Sequence, residues 1–333
     1  MLSILVWCLG LFVAVTTALP LSNAVVWWVR MWDFPRHHIA GLALLTASVA
    51  ALIAIPFKPV LIALMLICAV YQAVQIFPYT PLARKEVDLI TPPPAAPQVS
   101  MVAANVLMEN TRYADLATLI QREDPDVVFL METDLVWHDA LRETLERYPT
   151  VRTHLRDDHY GLIFATRLNM RDFQLYFPAN DNTAAVKAVL EDADGTAFNF
   201  VGLHPRPPVP GNDTDARDRQ IKTAAKLTAS SQRPTVCMGD FNDVAWSWTT
   251  RRFKRYGGFL EPRVGRGMVA SFHAQHWLIR LPIDQLYLTP DVGLVSFQRL
   301  EEFGSDHFPL IATVTFSPDH ATAQTSGEHH RAL

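Results

Sequence analysis

Three uncharged apolar runs occupy the first part of the chain and set it apart from a more polar remainder. They cover residues 2–19, 39–55 and 60–77. A helix of about 17–25 apolar residues crosses the hydrocarbon core of a bilayer, and each run lies near the lower end of that range. Three such runs with almost no charge between them predict three transmembrane helices rather than buried helices of a soluble core. The first run lacks the positively charged start of a signal peptide, so we do not expect it to be cleaved.

The segment between the first two runs, residues 22–36, is rich in tryptophan and carries charges at intervals. Tryptophan favours the headgroup region, so this segment is predicted to lie on the membrane surface. With three spans, it shares a side of the membrane with everything after residue 80. That side carries four basic residues before residue 90, against Lys58 and the amino terminus on the other side. The positive-inside rule favours the cytoplasm by this small margin, and the sequence leaves the side of the cell membrane open.

Beyond residue 98 the pattern changes to short apolar runs that alternate with helical periodicity. We predict strands at 99–106, 127–131, 161–165, 185–190, 198–203, 235–238, 283–288 and 309–316. Helices are expected at 113–122, 139–148 and 216–230. So many short strands in one domain indicate two packed sheets flanked by helices, a layered α/β arrangement.

Domain boundaries follow from these changes of pattern. Residues 91–97 contain four prolines, which favour an extended polyproline conformation and predict a stiff spacer between membrane and domain. We therefore expect a membrane domain at 1–80, a Pro-rich linker at 81–98, a catalytic domain at 99–316 and a polar tail at 317–333.

The distribution of charge along the chain argues against one class of function, the coating of nucleic acid. The chain has 29 Lys and Arg against 33 Asp and Glu, and only four of these charges lie in residues 1–80. The remainder is acidic overall, and a field of that sign does not attract polyanions, which disfavours a protein that coats nucleic acid. Half of the residues are hydrophobic, which excludes disorder for the chain as a whole.

Polar residues stand where the predicted strands begin or end, which is where rigid scaffolds often present catalytic groups. Taken singly, each has an ordinary reading as a solvated strand end, a turn residue or a surface histidine. Considered together and in their order along the chain, they form one group of candidate site residues: Asn105, Glu132, His204, Asp240, Asn242, Asp284, Asp306 and His307.

This set resembles the endonuclease/exonuclease/phosphatase superfamily (deoxyribonuclease I-like) over residues 99–316. The most specific matches are Gly-Asp240-Phe-Asn242 and Ser-Asp306-His307, with Leu-Met-Glu132, Leu-His204-Pro and Pro-Ile-Asp284 in the same order. The resemblance implies a four-layer α/β sandwich and metal-dependent phosphoester hydrolysis, and the preceding apolar runs suggest a membrane-anchored bacterial branch.

The resemblance also implies roles for the matched residues. Glu132, Asn105 and Asp306 are the expected ligands of Mg²⁺, with Mn²⁺ as an alternative ion. His307 is the expected base, with Asp284 orienting its ring. Asp240 and Asn242 are expected to align the attacking water, and His204 to bind phosphate or protonate the leaving oxygen. Gln285 departs from the family pattern, and residues 157–161 receive no role.

The leading interpretation is a membrane-tethered Mg²⁺-dependent phosphohydrolase that cleaves a phosphodiester or phosphomonoester, with a lipid-linked phosphate as the candidate substrate. A metal-dependent nuclease is the alternative, disfavoured because phosphate contacts from basic residues normally supply affinity for nucleic acid. An alternative of another class is a non-catalytic membrane scaffold with this fold. The physiological substrate, the number of metal ions and the oligomeric state are left open by the sequence.

Overall fold

A computed structural model describes residues 1–22, 24–93, 96–179, 183–211 and 213–316. The predicted polar tail at 317–333 lies outside the described residues.

The amino-terminal part consists of helices. In chain order they are α1 (Leu2–Ala18), the short α2 (Trp27–Arg30), α3 (Arg36–Leu52) and α4 (Lys58–Ile76). The long helices α1, α3 and α4 pack against one another around a shared apolar cluster that includes Val13, Ala43 and Met65. Small residues at these contacts allow the helix backbones to approach closely, as in membrane helix pairs.

The three long helices run antiparallel to their chain neighbours. At one end, the Trp7 Nε1 donates to the carbonyl of Pro56 over 3.2 Å. At the other end, the Gln72 amide donates to the Thr17 hydroxyl over 3.1 Å and accepts from Arg36 over 3.0 Å. The segment after α1 and the start of α3 therefore lie at the same end of the bundle as the end of α4.

Two of these helices are long and apolar enough to cross a membrane. They cover Leu2–Leu21 and Lys58–Tyr79, counting the short helical turns that extend α1 and α4. The helix in the second predicted run, α3, has 17 residues, begins with Arg36, His37 and His38, and is not one of these two. The described residues thus contain two such helices, and the expectation of three is not confirmed.

The remainder of the described chain is an α/β unit. Its strands are β1 (Val99–Asn105), β2 (Val127–Met131), β3 (Thr150–His154), β4 (Leu162–Thr166), β5 (Asn169–Tyr176), β6 (Ala185–Glu191), β7 (Ala197–Leu203), β8 (Thr235–Asp240), β9 (Asp284–Leu288), β10 (Gly293–Arg299) and β11 (Leu310–Thr315). Its helices are α5 (Tyr113–Glu123), α6 (Leu135–Ala140), α7 (Arg142–Leu145), α8 (Asp215–Ala229) and α9 (Trp248–Gly257).

The strands form two sheets that pack face to face. One has six strands in the order β10-β11-β1-β2-β4-β3, and the other has five in the order β5-β6-β7-β8-β9. Phe129, Phe164, Phe200 and Met238 belong to the buried cluster between them. Helices α5–α7 cover the outer face of the first sheet, and α8 and α9 cover that of the second. The prediction of two packed sheets flanked by helices is confirmed.

The part of the predicted linker at residues 86–90 contacts the α/β unit. Val87 is buried in the core between the sheets, the Ile90 amide donates to the carbonyl of Leu294 over 2.9 Å, and Glu86 pairs with Lys254. This segment is held on the α/β unit because it offers one apolar side chain to the core and pairs its backbone with β10.

Candidate active site

The sheet topology brings the predicted site residues to one edge of the molecule. Strands β1 and β2 are parallel neighbours, as are β7 and β8, so their carboxyl ends lie at one edge of each sheet. Strand β11 is antiparallel to β1 and β9 is antiparallel to β8, so their amino ends lie at that same edge. Residues that end the first group of strands and residues that begin the second group therefore meet, although up to about 200 positions separate them in the chain.

Glu132 follows β2 and is held by an amide. The Asn105 Nδ2 donates to Glu132 Oε1 over 2.7 Å and lies 3.2 Å from Asp240 Oδ2. The Asn105 Oδ1 accepts from the backbone amide of Leu107 over 3.0 Å. Asn105 thus turns its nitrogen, not its oxygen, toward the carboxylates, which makes it a positioning group for Glu132 in this arrangement.

His307 and Asp284 form a buried pair. The His307 Nδ1 lies 2.7 Å from Asp284 Oδ2, so Asp284 fixes the orientation of the ring. The opposite nitrogen, His307 Nε2, lies 3.7 Å from Asp240 Oδ2 and 4.0 Å from Asp306 Oδ1. The hydroxyl of Ser305 accepts from the backbone amide of His307 over 3.0 Å, which fixes the loop that carries this residue. This is the arrangement expected for an imidazole oriented by a carboxylate.

His204 and Asn242 complete the group. The His204 Nε2 lies 3.9 Å from Glu132 Oε1 and 3.8 Å from Asp240 Oδ2, and its Nδ1 has no hydrogen-bond partner among the described residues. The Asn242 backbone amide donates to Asp240 Oδ1 over 2.8 Å, while its side chain donates to the carbonyl of Pro205. The structure therefore brings all eight predicted site residues to one place.

Burial and neighbouring charges shift the pKa values of the site residues, some upward and some downward. Burial raises the pKa of Asp240 to about 7. Burial alone would lower the pKa of His307, but the carboxylates of Asp284 and Asp240 outweigh it and raise the pKa to about 10. Burial lowers the pKa of His204 to about 4, so this ring is neutral at physiological pH. Burial would raise the pKa of Glu132, but the nearby His204 and the hydrogen bond from Asn105 keep it below its usual value.

The donor groups fit a hard divalent cation. Carboxylate oxygens of Asp240 and Asp284 lie within 4.8 Å of each other and of a ring nitrogen of His307, and all three residues are buried. The protonated His307 ring has no lone pair for a metal, so the carboxylate oxygens are the candidate ligands. The carboxylates of Glu132 and Asp306 border the same group. Several carboxylates in one place suit a cation with oxygen ligands, because their charges would otherwise repel. Of the predicted ligands, Glu132 and Asp306 present carboxylates here, whereas Asn105 presents its amide nitrogen.

Two further residues border the site that the sequence did not assign. The His159 Nδ1 lies 3.1 Å from Glu132 Oε2, and its Nε2 lies 3.2 Å from Glu109. The Tyr160 ring packs against His204 at a centroid distance of 5.6 Å. The only signal in the sequence is their place directly before β4, next to the matched residues. Gln285, which departs from the family pattern, donates hydrogen bonds to the carbonyls of Asp243 and Pro282. These bonds connect β9 to the loops beside it.

A cavity of about 540 Å³ opens above these groups. Its lining includes Met31 and Phe34, which lie between α2 and α3. The sequence placed this segment on the membrane surface and gave it no part in the site. The structure packs it against the α/β unit, where the Trp246 Nε1 donates to the carbonyl of Asp33 over 2.6 Å.

Several solved structures have a similar fold. The fold is similar to that of zebrafish (D. rerio) TDP2 complexed with a single-strand DNA product, with 16% identity, 66% of this chain and 99% of that chain covered and a TM-score of 0.55. It is also similar to a mannosyl-6-phosphatase from Bacteroides thetaiotaomicron, with 16% identity, 66% and 100% coverage and a TM-score of 0.51. The human Nocturnin catalytic domain matches with 15% identity, 67% and 96% coverage and a TM-score of 0.52.

Sequence comparison adds the family. No curated protein sequence matches the chain. The model of the Endonuclease/Exonuclease/phosphatase family matches residues 102–307, which is more than half of the chain and contains every predicted site residue. With its two packed sheets and the residues gathered at their common edge, the chain belongs to the endonuclease/exonuclease/phosphatase family.

Proposed function

We propose that this protein is a membrane-tethered, Mg²⁺-dependent phosphoester hydrolase. The observation that carries the proposal is the convergence of Glu132, Asp240 and the His307–Asp284 pair on one cavity. The names of two structural relatives, a mannosyl-6-phosphatase and TDP2 with a DNA product, fit the same reaction class.

Glu132 and Asp306 are the proposed Mg²⁺ ligands, and Asp240 lies beside them. A bound Mg²⁺ supplies neutralisation of the charge that develops on the phosphoryl oxygens. Asn105 acts through Glu132, because its amide nitrogen donates to that carboxylate over 2.7 Å.

Proton transfer is assigned to Asp240 and His307 together. Their facing atoms are 3.7 Å apart, and burial raises the pKa of Asp240 to about 7, so this carboxylate can accept a proton near neutral pH. The carboxylates of Asp284 and Asp240 raise the pKa of His307 to about 10, so its ring is protonated and can donate a hydrogen bond from Nε2. The sequence predicted His307 as the only base, whereas this proposal assigns proton transfer to His307 and Asp240 together.

His204 and Asn242 are assigned to the phosphoryl group and the water. A neutral His204 can donate a hydrogen bond to a phosphoryl oxygen, and its low pKa disfavours the role of proton donor to the leaving oxygen. In the reaction, the attacking water gives a proton to Asp240, its oxygen bonds to phosphorus, and the bond from phosphorus to the leaving oxygen breaks. The protonated His307 supplies the proton that the leaving oxygen gains, and Asp240 then passes its proton to His307 across 3.7 Å, which restores the pair.

The membrane tether is proposed to consist of three spans. Helix α3 packs against both α1 and α4 and runs antiparallel to them, so its 17 residues would also cross a bilayer that α1 and α4 cross. The segment before α3 and the linker after α4 both contact the α/β unit, which requires both to lie on its side of the membrane.

Reporter fusions test this topology. A reporter fused after Lys58 and one fused after Lys85 should give opposite signals, because α4 separates the two positions. Alkaline phosphatase and a fluorescent protein are each fused at both positions, and the activity of the one and the fluorescence of the other are measured in bacterial cells. Equal signals at the two positions would contradict three spans.

Hydrolysis of a chromogenic phosphodiester by the purified full chain tests the reaction class. We expect release of 4-nitrophenol from bis(4-nitrophenyl) phosphate with Mg²⁺, and loss of that release with EDTA. Rapid nicking of plasmid without hydrolysis of small phosphoesters would favour the nuclease. Failure to hydrolyse any of these substrates with Mg²⁺ or Mn²⁺ would favour the non-catalytic scaffold.

A further inference from the structure

The lining of the catalytic cavity contains two unlike groups of residues. One group is polar and includes Glu132, Asp240 and His307. The other group, called here the apolar wall, includes Met31, Phe34 and Val209. A volume of about 540 Å³ lies in the usual range for sites that bind small molecules. A free inorganic phosphate needs no apolar wall, so this composition points to a phosphoester with a substantial apolar part.

The apolar wall is a fixed part of the fold. Beside the bond from Trp246 to the Asp33 carbonyl, the backbone amide of Thr214 donates to the carbonyl of Val25 over 2.7 Å. The backbone amide of Trp27 donates to Asp213 Oδ1 over 2.9 Å. Asp33 is buried in ion pairs with Arg30 and Arg36. These contacts hold the segment that carries Met31 and Phe34 in one position relative to the catalytic groups.

The same segment joins two of the apolar helices, so the cavity lies at the level where those helices end. A second feature lies at this level. Trp277, Leu278 and Ile279 form a short helical turn and are 74%, 59% and 45% exposed. The His38 Nε2 lies 2.6 Å from the carbonyl of Leu278, which places the turn beside the start of α3. Exposed tryptophan and aliphatic side chains next to a membrane helix end are typical of residues that enter the bilayer interface.

We infer that the substrate is an amphiphilic phosphoester resident in the bilayer, whose apolar part lies against Met31 and Phe34 while its phosphoryl group meets the catalytic residues. The inference rests on the proposed function and adds the substrate class. The Trp277–Ile279 turn then lies in the interface beside the cavity, so that such a substrate reaches the site by diffusion within the membrane.

A matched pair of substrates tests this inference on the full chain in mixed detergent micelles. Hexadecyl 4-nitrophenyl phosphate and ethyl 4-nitrophenyl phosphate share the reacting group and the leaving group and differ only in the alkyl chain. We expect kcat/KM for the hexadecyl ester to exceed that for the ethyl ester by about 10-fold or more. A single methylene packed in an apolar pocket already changes kcat/KM by about 10-fold or more.

Variants of the wall separate specific contact from general partition into micelles. Phe34→Ser and Met31→Ser should each lower the hexadecyl-to-ethyl ratio of kcat/KM by about 10-fold, and Phe34→Leu should retain most of it. Leu135→Ser is the matched control, because Leu135 is an exposed apolar residue that is not among those lining the cavity. Met31, which is 39% exposed, provides a second variant if Phe34→Ser fails to fold.

The failures of the two proposals are distinguishable. Equal kcat/KM for the two esters, or a ratio that neither wall variant changes, overturns the inference and leaves the hydrolase intact. Absence of hydrolysis of both esters with Mg²⁺ and with Mn²⁺ contradicts the proposed function, and the inference fails with it.

Discussion

Replacement of His307 by alanine is expected to lower kcat on a phosphodiester by about 10²–10⁴-fold, the usual contribution of a positioned acid or base. The reason is geometric, because His307 Nε2 faces Asp240 across 3.7 Å and removal of the ring leaves that carboxylate without its partner. The affinity for Mg²⁺ should change little, since the proposed ligands remain. The measurement is the rate at saturating substrate over a range of Mg²⁺ concentrations.

Asp284→Asn should change the rate in the same direction, because the amide cannot hold the protonated ring as the carboxylate does over 2.7 Å. The double variant should lose little more than His307→Ala alone, since both changes disable one unit. His138→Ala is the matched control, because this half-exposed histidine lies on α6 and is not among the residues that line the cavity. A loss of less than about 3-fold for His307→Ala would remove His307 from the reaction.

Replacement of Glu132 by glutamine is expected to raise the Mg²⁺ concentration required for half-maximal rate by about 10–100-fold or more. The substitution keeps the shape of the side chain and the contact with Asn105 but removes one negative charge from the cation site. Activity should therefore recover in part at high Mg²⁺. The measurement is the rate of one phosphodiester as a function of Mg²⁺ concentration for each variant.

Glu143→Gln serves as the control for charge, because it removes a carboxylate on α7 that is not among the residues that line the cavity. Rescue of His307→Ala by Mg²⁺, together with no rescue of Glu132→Gln, would show that ligand and proton-transfer roles are reversed here.

Strands buried on both faces were predictable from the sequence. The run 127–131 coincides with β2, and the predicted strands at 185–190 and 198–203 lie within one residue of β6 and β7 at each end. Such strands are continuous apolar runs because helices cover one face of the sheet and the second sheet covers the other. The helices α5 and α8 were placed within one residue for a similar reason, since each presents one apolar face to a sheet.

Three of the four edge strands were missed. Strands β3, β5 and β10 lie at the edges of their sheets and carry exposed polar side chains, so no apolar run marks them. Helix α9 was also missed, because four basic side chains on its exposed face hide the pattern of Thr249, Phe253 and Gly257 on the buried face. The predicted helix at 139–148 overlaps only the end of α6 and the whole of α7, and these two helices meet at Leu141.

The sequence by itself determined the family, because Glu132, His204, Asp240 and His307 stand at strand ends in the order of the endonuclease/exonuclease/phosphatase family, whose model matches residues 102–307. Only the tertiary structure decided what surrounds them. The contact of Asp33 with Trp246, the folding of the linker onto β10 and the pairing of His159 with Glu132 all join residues distant in the chain. Local patterns of hydrophobicity report which face of an element is buried, but they carry no information on which distant segment covers it, and that is set by packing of the whole chain.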